Sequence, residues 1–202
     1  MIALRGLNIK EEINMEYKFY NQLDYPDVPY EYNGNGRSIK TSGCGICSAC
    51  MVVENMLGVP CSLEEIEQIA YAAGARDDSG TEMSLLAKGV CEKFPLTYEM
   101  TNDAGKAMQF LQNGEGMIVA NSGGDREGWT GVFTSGGHFI VLAAAEGRKI
   151  TVLDPSVRPD KYDAPGREGK VELVGNIAYT DMQVIAKDCD NRTPSYVMFR
   201  KK

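Results

Sequence analysis

The sequence predicts an α+β fold in which an N-terminal helical layer packs on a C-terminal antiparallel sheet. Three observations predict it. Apolar residues recur at helical spacing through 44–112. From Met117 onward, short apolar runs separated by Gly-containing turns take over. The run at 138–144 returns through Glu146-Gly147-Arg148 into 150–153, a connection too short for anything but an antiparallel hairpin. Helices first and antiparallel strands afterwards imply segregated layers.

Each element has its own signal. Residues 20–43 are rich in turn formers, with Pro26, Pro29 and Asn33-Gly34-Asn35-Gly36, and read as an ordered loop region. From Cys44, Ile46, Ala49, Cys50, Val53 and Leu57 form one helical stripe that Gly58 and Pro60 stop. Ser62 can cap a second helix in a capping box with Glu65; its stripe is Leu63, Ile66, Ile69, Ala70 and Ala73, and Gly74 ends it. A third opens after Thr81 and buries Met83, Leu86, Val90 and Phe94, and a fourth runs over about 102–112 to Gly114. Strands follow at 117–120, 138–144 and 150–153, with shorter ones expected at 171–174, 183–186 and 196–200. No repeat, low-complexity tract or Pro/Ser-rich linker breaks the chain, so one domain is expected over 1–202.

Composition narrows the function. The 202 residues are 24% charged and 43% hydrophobic, ordinary for a globular protein, with a net charge of −7. An acidic balance without a Lys/Arg run argues against nucleic acid or an anionic membrane surface as the main partner. The longest apolar stretch, 139–145, is strand-sized, so no membrane insertion is expected. The mixed segment 1–10 has no apolar core of the signal-peptide kind, which predicts a cytoplasmic protein. In that compartment the six cysteines are expected as thiols.

The chemistry-bearing residues are few. The sequence has one histidine, His138, placed after Gly136-Gly137 at the start of an apolar strand. It reads as a structural histidine or as a base held on a rigid element. Asp154 lies sixteen residues on, at the end of the partner strand, where the hairpin brings it near His138. It reads as a turn former before Pro155 or as the carboxylate that orients an imidazole. Cys44 begins the first helix, where the helix dipole and a nearby imidazolium both lower a thiol pKa. Cys47 and Cys50 follow at one-turn spacing and read as core residues, though two other uses are open. Cys44-x-x-Cys47 can form a redox pair, but no strand leads into it as in a thioredoxin-like unit. Cys44, Cys47, Cys50 and His138 can supply four zinc ligands, but a single helix splays its thiols. Asp160, Lys161, Arg167 and Glu168 read as surface cover in preference to a cleft wall.

Several segments carry a family resemblance. They are Ser42-Gly43-Cys44-Gly45 with Ala49-Cys50-Met51-Val52, then Leu57-Gly58-Val59-Pro60 with Ser62-Leu63-Glu64-Glu65, then Gly80-Thr81. The most specific is Thr134-Ser135-Gly136-Gly137-His138-Phe139-Ile140-Val141-Leu142 followed by Val152-Leu153-Asp154-Pro155. Over roughly 20–156 the chain resembles the papain-like cysteine peptidases of the bacteriocin-processing, double-glycine-leader type, especially their stand-alone bacterial branch. The resemblance implies a papain-like fold, a peptide or protein substrate, no metal or cofactor, and a Cys44–His138–Asp154 triad. It also implies an oxyanion donor, Gln22, within Asn21-Gln22-Leu23-Asp24-Tyr25. The string Cys44-Gly45-Ile46-Cys47 echoes the papain signature instead, and on that alignment Cys47 is the nucleophile. Amidase or transpeptidase chemistry, or a non-hydrolytic peptide-binding module, are the other uses of such a site.

Overall fold

The computed structural model describes residues 16–202. The expectation about a signal segment, which rests on 1–10, lies outside the described residues. Among the described residues no helix is long and apolar enough to cross a membrane.

The region expected to be loop is ordered by short elements, a 3-10 turn at Gln22–Asp24 and helix α1 at Ile39–Ser42. Helix α2, Cys44–Leu57, follows directly and ends where Gly58 takes the left-handed conformation, φ +68°, that lacks a steric cost only for glycine. In α3, Leu63–Ala72, Ser62 Oγ accepts the Glu65 N–H at 3.1 Å. Helices α4, Met83–Lys93, and α5, Ala104–Gln112, are capped by the Glu82 and Asp103 carboxylates.

Seven antiparallel strands form one sheet in the order β1-β7-β2-β3-β4-β6-β5. They are β1 Leu96–Thr101, β2 Met117–Ser122, β3 His138–Glu146, β4 Lys149–Leu153, β5 Val171–Val174, β6 Ile177–Asp181 and β7 Tyr196–Lys201. Side chains alternate across the sheet. Val119, Val141, Leu153, Val197 and Phe199 pack under α2, α3 and α4. Ile118, Ala120, Ile140, Leu142, Val152 and Met198 face the other way and are covered by α5 and by α6, Met182–Cys189. Both faces are therefore apolar, which fits the unbroken apolar runs in β2 and β3. Each fully buried Val, Leu, Ile or Phe contributes about 1.5–3 kcal/mol.

The α+β architecture holds, with three local differences. The strand expected at 183–186 is part of α6. Its Val184-Ile185 pair looks strand-like, but the Asp181 carboxylate caps the segment at the Gln183 N–H, and Met182, Ile185 and Cys189 share a buried helical face. Strand β1 is an edge strand in which only Leu96 is buried, so it leaves no apolar run to read. Strand β6 alternates under the turn at Gly175, φ +60°.

Candidate active site

The hairpin β3–β4 brings His138 and Asp154 together. Its register pairs Val141 with Leu153. Both chains then reach the same end of the sheet, and His138 Nε2 lies 2.8 Å from Asp154 Oδ1. A carboxylate only accepts, so this contact places the proton on Nε2 and turns Nδ1 to other partners. Both residues are buried.

Helix α2 supplies the thiol. It crosses β3, and Ser48 Oγ donates to Phe139 O at 3.4 Å, one residue from His138. Two glycines make the helix start possible. A Cβ on Gly43 would sit 2.6 Å from Ile39 O, and one on Gly45 would sit 2.8 Å from Thr81 Cβ. Thr81 is held there by the Tyr30 hydroxyl at 2.9 Å. Buried Arg76 fixes the same loop through Tyr30 O at 2.9 Å and Gly80 O at 3.0 Å.

All six cysteines are free thiols, and their environments differ. Burial alone pushes Cys44 up, but hydrogen bonding to and charge on His138, with N–H groups of Phe139 and Gly45, outweigh it, and the thiol lies below its ordinary 9.0. Cys44 is also partly accessible. Burial holds Cys47 well above that value, as does the neighbouring Cys44. Cys50 donates to Cys61 O at 3.0 Å inside the core and is also pushed up. Cys91 is raised by burial to about 11. Among the described residues no cluster of three or more metal-ligating side chains forms, so Cys44, Cys47, Cys50 and His138 do not converge as the four zinc ligands weighed above.

Burial lowers His138, but the Asp154 charge and hydrogen bond, with Cys44, outweigh it, so the imidazolium is favoured relative to the ordinary 6.5. Asp154 would be pushed up by burial, yet Lys161 and His138 hold it far below its ordinary 3.8. The Cys44 thiol, the His138 imidazole and the Asp154 carboxylate are thus each biased toward the charged form.

Gln22 stands at the seam between the helical side and the sheet side. Its N–H donates to Pro155 O at 2.6 Å, and its Nε2 donates to Lys40 O at 2.8 Å. That uses one of the two amide hydrogens. A groove of about 650 Å³ opens beside it, lined by Asn21, Leu23, Val157, Arg158, Tyr162 and Leu173 among others.

Three neighbours were missed by sequence reasoning: Ser156 and Tyr162, which both reach Asp154, and Lys161. Lys161, expected on the surface, has only 3% of its side chain exposed and pairs with Asp154 Oδ2. A single Lys in a polar loop carries no sequence signal for burial, since lysines are almost never buried unless paired. Asp160 and Glu168 are exposed as expected.

No family model matches the chain, and none of the curated proteins does. Solved structures do. The fold is similar to that of the peptidase domain of Streptococcus ComA, a bi-functional ABC transporter involved in quorum sensing, with a TM-score of 0.52 and 10% identity over 80% of this chain and 93% of that one. A double glycine motif protease from an AMS/PCAT transporter, solved in complex with the leader peptide, aligns with a TM-score of 0.47 and 15% identity over 88% and 94%. The α+β architecture expected from the sequence is therefore one that this chain shares with the ComA peptidase domain.

Proposed function

We propose that this protein is a cysteine-type peptidase in which Cys44 is the nucleophile, His138 the base and acid, Asp154 the orienting carboxylate and Gln22 an oxyanion donor. One observation carries the reading: Cys44 is partly accessible and its thiol is drawn down by His138, which Asp154 holds at 2.8 Å. Cys47 has the opposite properties, which favours the Cys44 alignment over the papain-signature one. The ComA-like fold supports the same chemistry.

The steps follow from the groups. The Cys44 thiolate attacks the peptide carbonyl carbon. The charge that develops on the carbonyl oxygen is met by the Cys44 N–H at the helix start and by the second Gln22 Nε2 hydrogen, each such donor contributing about 3 kcal/mol. Collapse breaks the C–N bond as imidazolium His138 protonates the leaving amine, leaving a thioester on Cys44. Water then attacks the thioester as His138 takes its proton, and the acid product leaves with Cys44 again a thiolate. A peptide is the substrate class.

The test is alkylation by iodoacetamide between pH 5 and 9 with peptide mapping, on wild type and His138→Ala. Cys44 is expected to react fast below pH 7 and to lose that reactivity in the variant. Fast labelling at Cys47, or a variant that behaves like wild type, overturns the reading.

A further inference from the structure

The segment after β4 folds back over the acid of the site. Asp154 Oδ1 meets His138 Nε2, the Ser156 N–H at 2.9 Å and Ser156 Oγ at 3.2 Å. Oδ2 meets the Lys161 ammonium and the Tyr162 hydroxyl at 2.5 Å. Lys161 Nζ also lies 2.6 Å from Ser156 Oγ, which is 3.1 Å from His138 Nε2. Two routes therefore link the ammonium to the imidazole, one through the carboxylate and one through the hydroxyl.

A staple for this loop needs no charge. Tyr162 already satisfies Oδ2 with a neutral donor, and burying an ammonium carries a desolvation cost that the hydroxyl avoids. What the ammonium adds is a second cation on a carboxylate that otherwise serves His138 alone. A base that must also give its proton to a leaving amine cannot hold that proton too tightly. We propose that Lys161 is a positioning residue of this site. It occupies Asp154 Oδ2 so that Oδ1 faces His138, and its charge moderates the hold of Asp154 on the imidazolium.

The surrounding charges are consistent with this assignment. His138 is faced by Cys44 from α2 and by Asp154 and Lys161 from the loop after β4, the last of which opposes the imidazolium. Tyr162 lies against Asp154 and feels Arg167 and Asp188, and burial pushes its hydroxyl far up, so it stays neutral. Arg158 and Arg167 face Lys161, whose ammonium is pulled below its ordinary 10.5 first by burial, with Asp154 opposing. Arg192 reaches Gly136 O, beside the strand start.

The catalytic consequence rests on the peptidase reading, but the titration does not. His138 is the only histidine in the sequence, so its ring nitrogens give unique signals in a ¹H–¹⁵N spectrum. The experiment follows them against pH in wild type, Lys161→Met and Lys161→Arg. The His138 midpoint is expected to move to higher pH in Lys161→Met and to stay near wild type in Lys161→Arg. Turnover of a peptide substrate is expected to fall about tenfold in kcat with KM unchanged, the size of a weakened proton transfer. If Lys161→Met does not fold, Lys161→Gln keeps a donor on Oδ2 without the charge and decides the matter. A midpoint that does not move in a folded neutral variant overturns the proposal and leaves Lys161 a packing element. If Cys44 is not selectively alkylated in wild type, the peptidase reading falls while the His138 titration still judges Lys161.

Discussion

Asp154 and Asp188 are both fully buried and both accept from N–H groups and hydroxyls, but only Asp154 also meets ionisable side chains. Asp188, on α6, is met by neutral donors: Trp129 Nε1 at 2.8 Å, the Val132 N–H at 2.7 Å, the Phe133 N–H at 3.4 Å and the Ser122 hydroxyl. It clasps the Gly-rich loop between β2 and β3. Asp154 shares its charge with His138 and Lys161. A carboxylate filled by N–H groups and hydroxyls shapes a loop. One filled by ionisable partners sets where protons sit. On the proposed function, the difference separates a structural acid from a functional one without appeal to position in the chain.

The largest expected effect comes from substituting each. Asp154→Asn is expected to cut peptide turnover by about 10³–10⁴-fold, because the amide no longer stabilises the imidazolium or its tautomer. Asp188→Asn puts an NH₂ among donors and is expected to cost about 2–3 kcal/mol of stability, roughly 5–10 °C in Tm. Cys44 alkylation at pH 6 should slow in the first variant and stay at the wild-type rate in the folded fraction of the second. Equal loss of Cys44 reactivity in both would dissolve the distinction.

The same contrast explains what was legible in the sequence. His138 and Asp154 could be paired because a short hairpin relates them by register, and Cys44 because Gly58 and the apolar stripe mark its helix. Gln22 had no local signal and entered only through the resemblance; its position depends on contacts with Lys40 and Pro155, far apart in the chain. Lys161 and Asp188 were invisible for the same physical reason. A charged residue is presumed exposed, and only tertiary packing shows that one ammonium and one carboxylate are enclosed. The helix at Met182–Cys189 was hidden by β-branched residues whose burial pattern, not composition, is helical.

A finer pair of substitutions removes one hydroxyl from each carboxylate. Ser122→Ala is expected to lower stability by about 1 kcal/mol, since Asp188 loses one neutral donor. Ser156→Ala removes the hydroxyl that touches both His138 and Lys161. One such bond is expected to change kcat by at most about tenfold, with melting temperature little affected. Steady-state kinetics beside thermal melts reads both, and a kinetic defect in Ser122→Ala would break the assignment of Asp188 to the loop.

The smallest effect is the pH dependence of stability, and its sign distinguishes the members of the Asp154 network. The His138 pKa is raised in the fold, so its contribution is fully present below its ordinary 6.5 and is lost as pH rises through the folded value. The Asp154 pKa is depressed, so its contribution is present above its ordinary 3.8 and is lost as pH falls through the folded value. The Tm advantage of wild type over His138→Gln should therefore shrink on the alkaline side. Its advantage over Asp154→Asn should shrink on the acid side. Melts from pH 3 to 9 test both. A His138→Gln difference that stays flat above pH 6.5 would mean that the fold does not favour the imidazolium. Asp154 would then be a clasp like Asp188, and its cationic partners would have to be explained by packing alone.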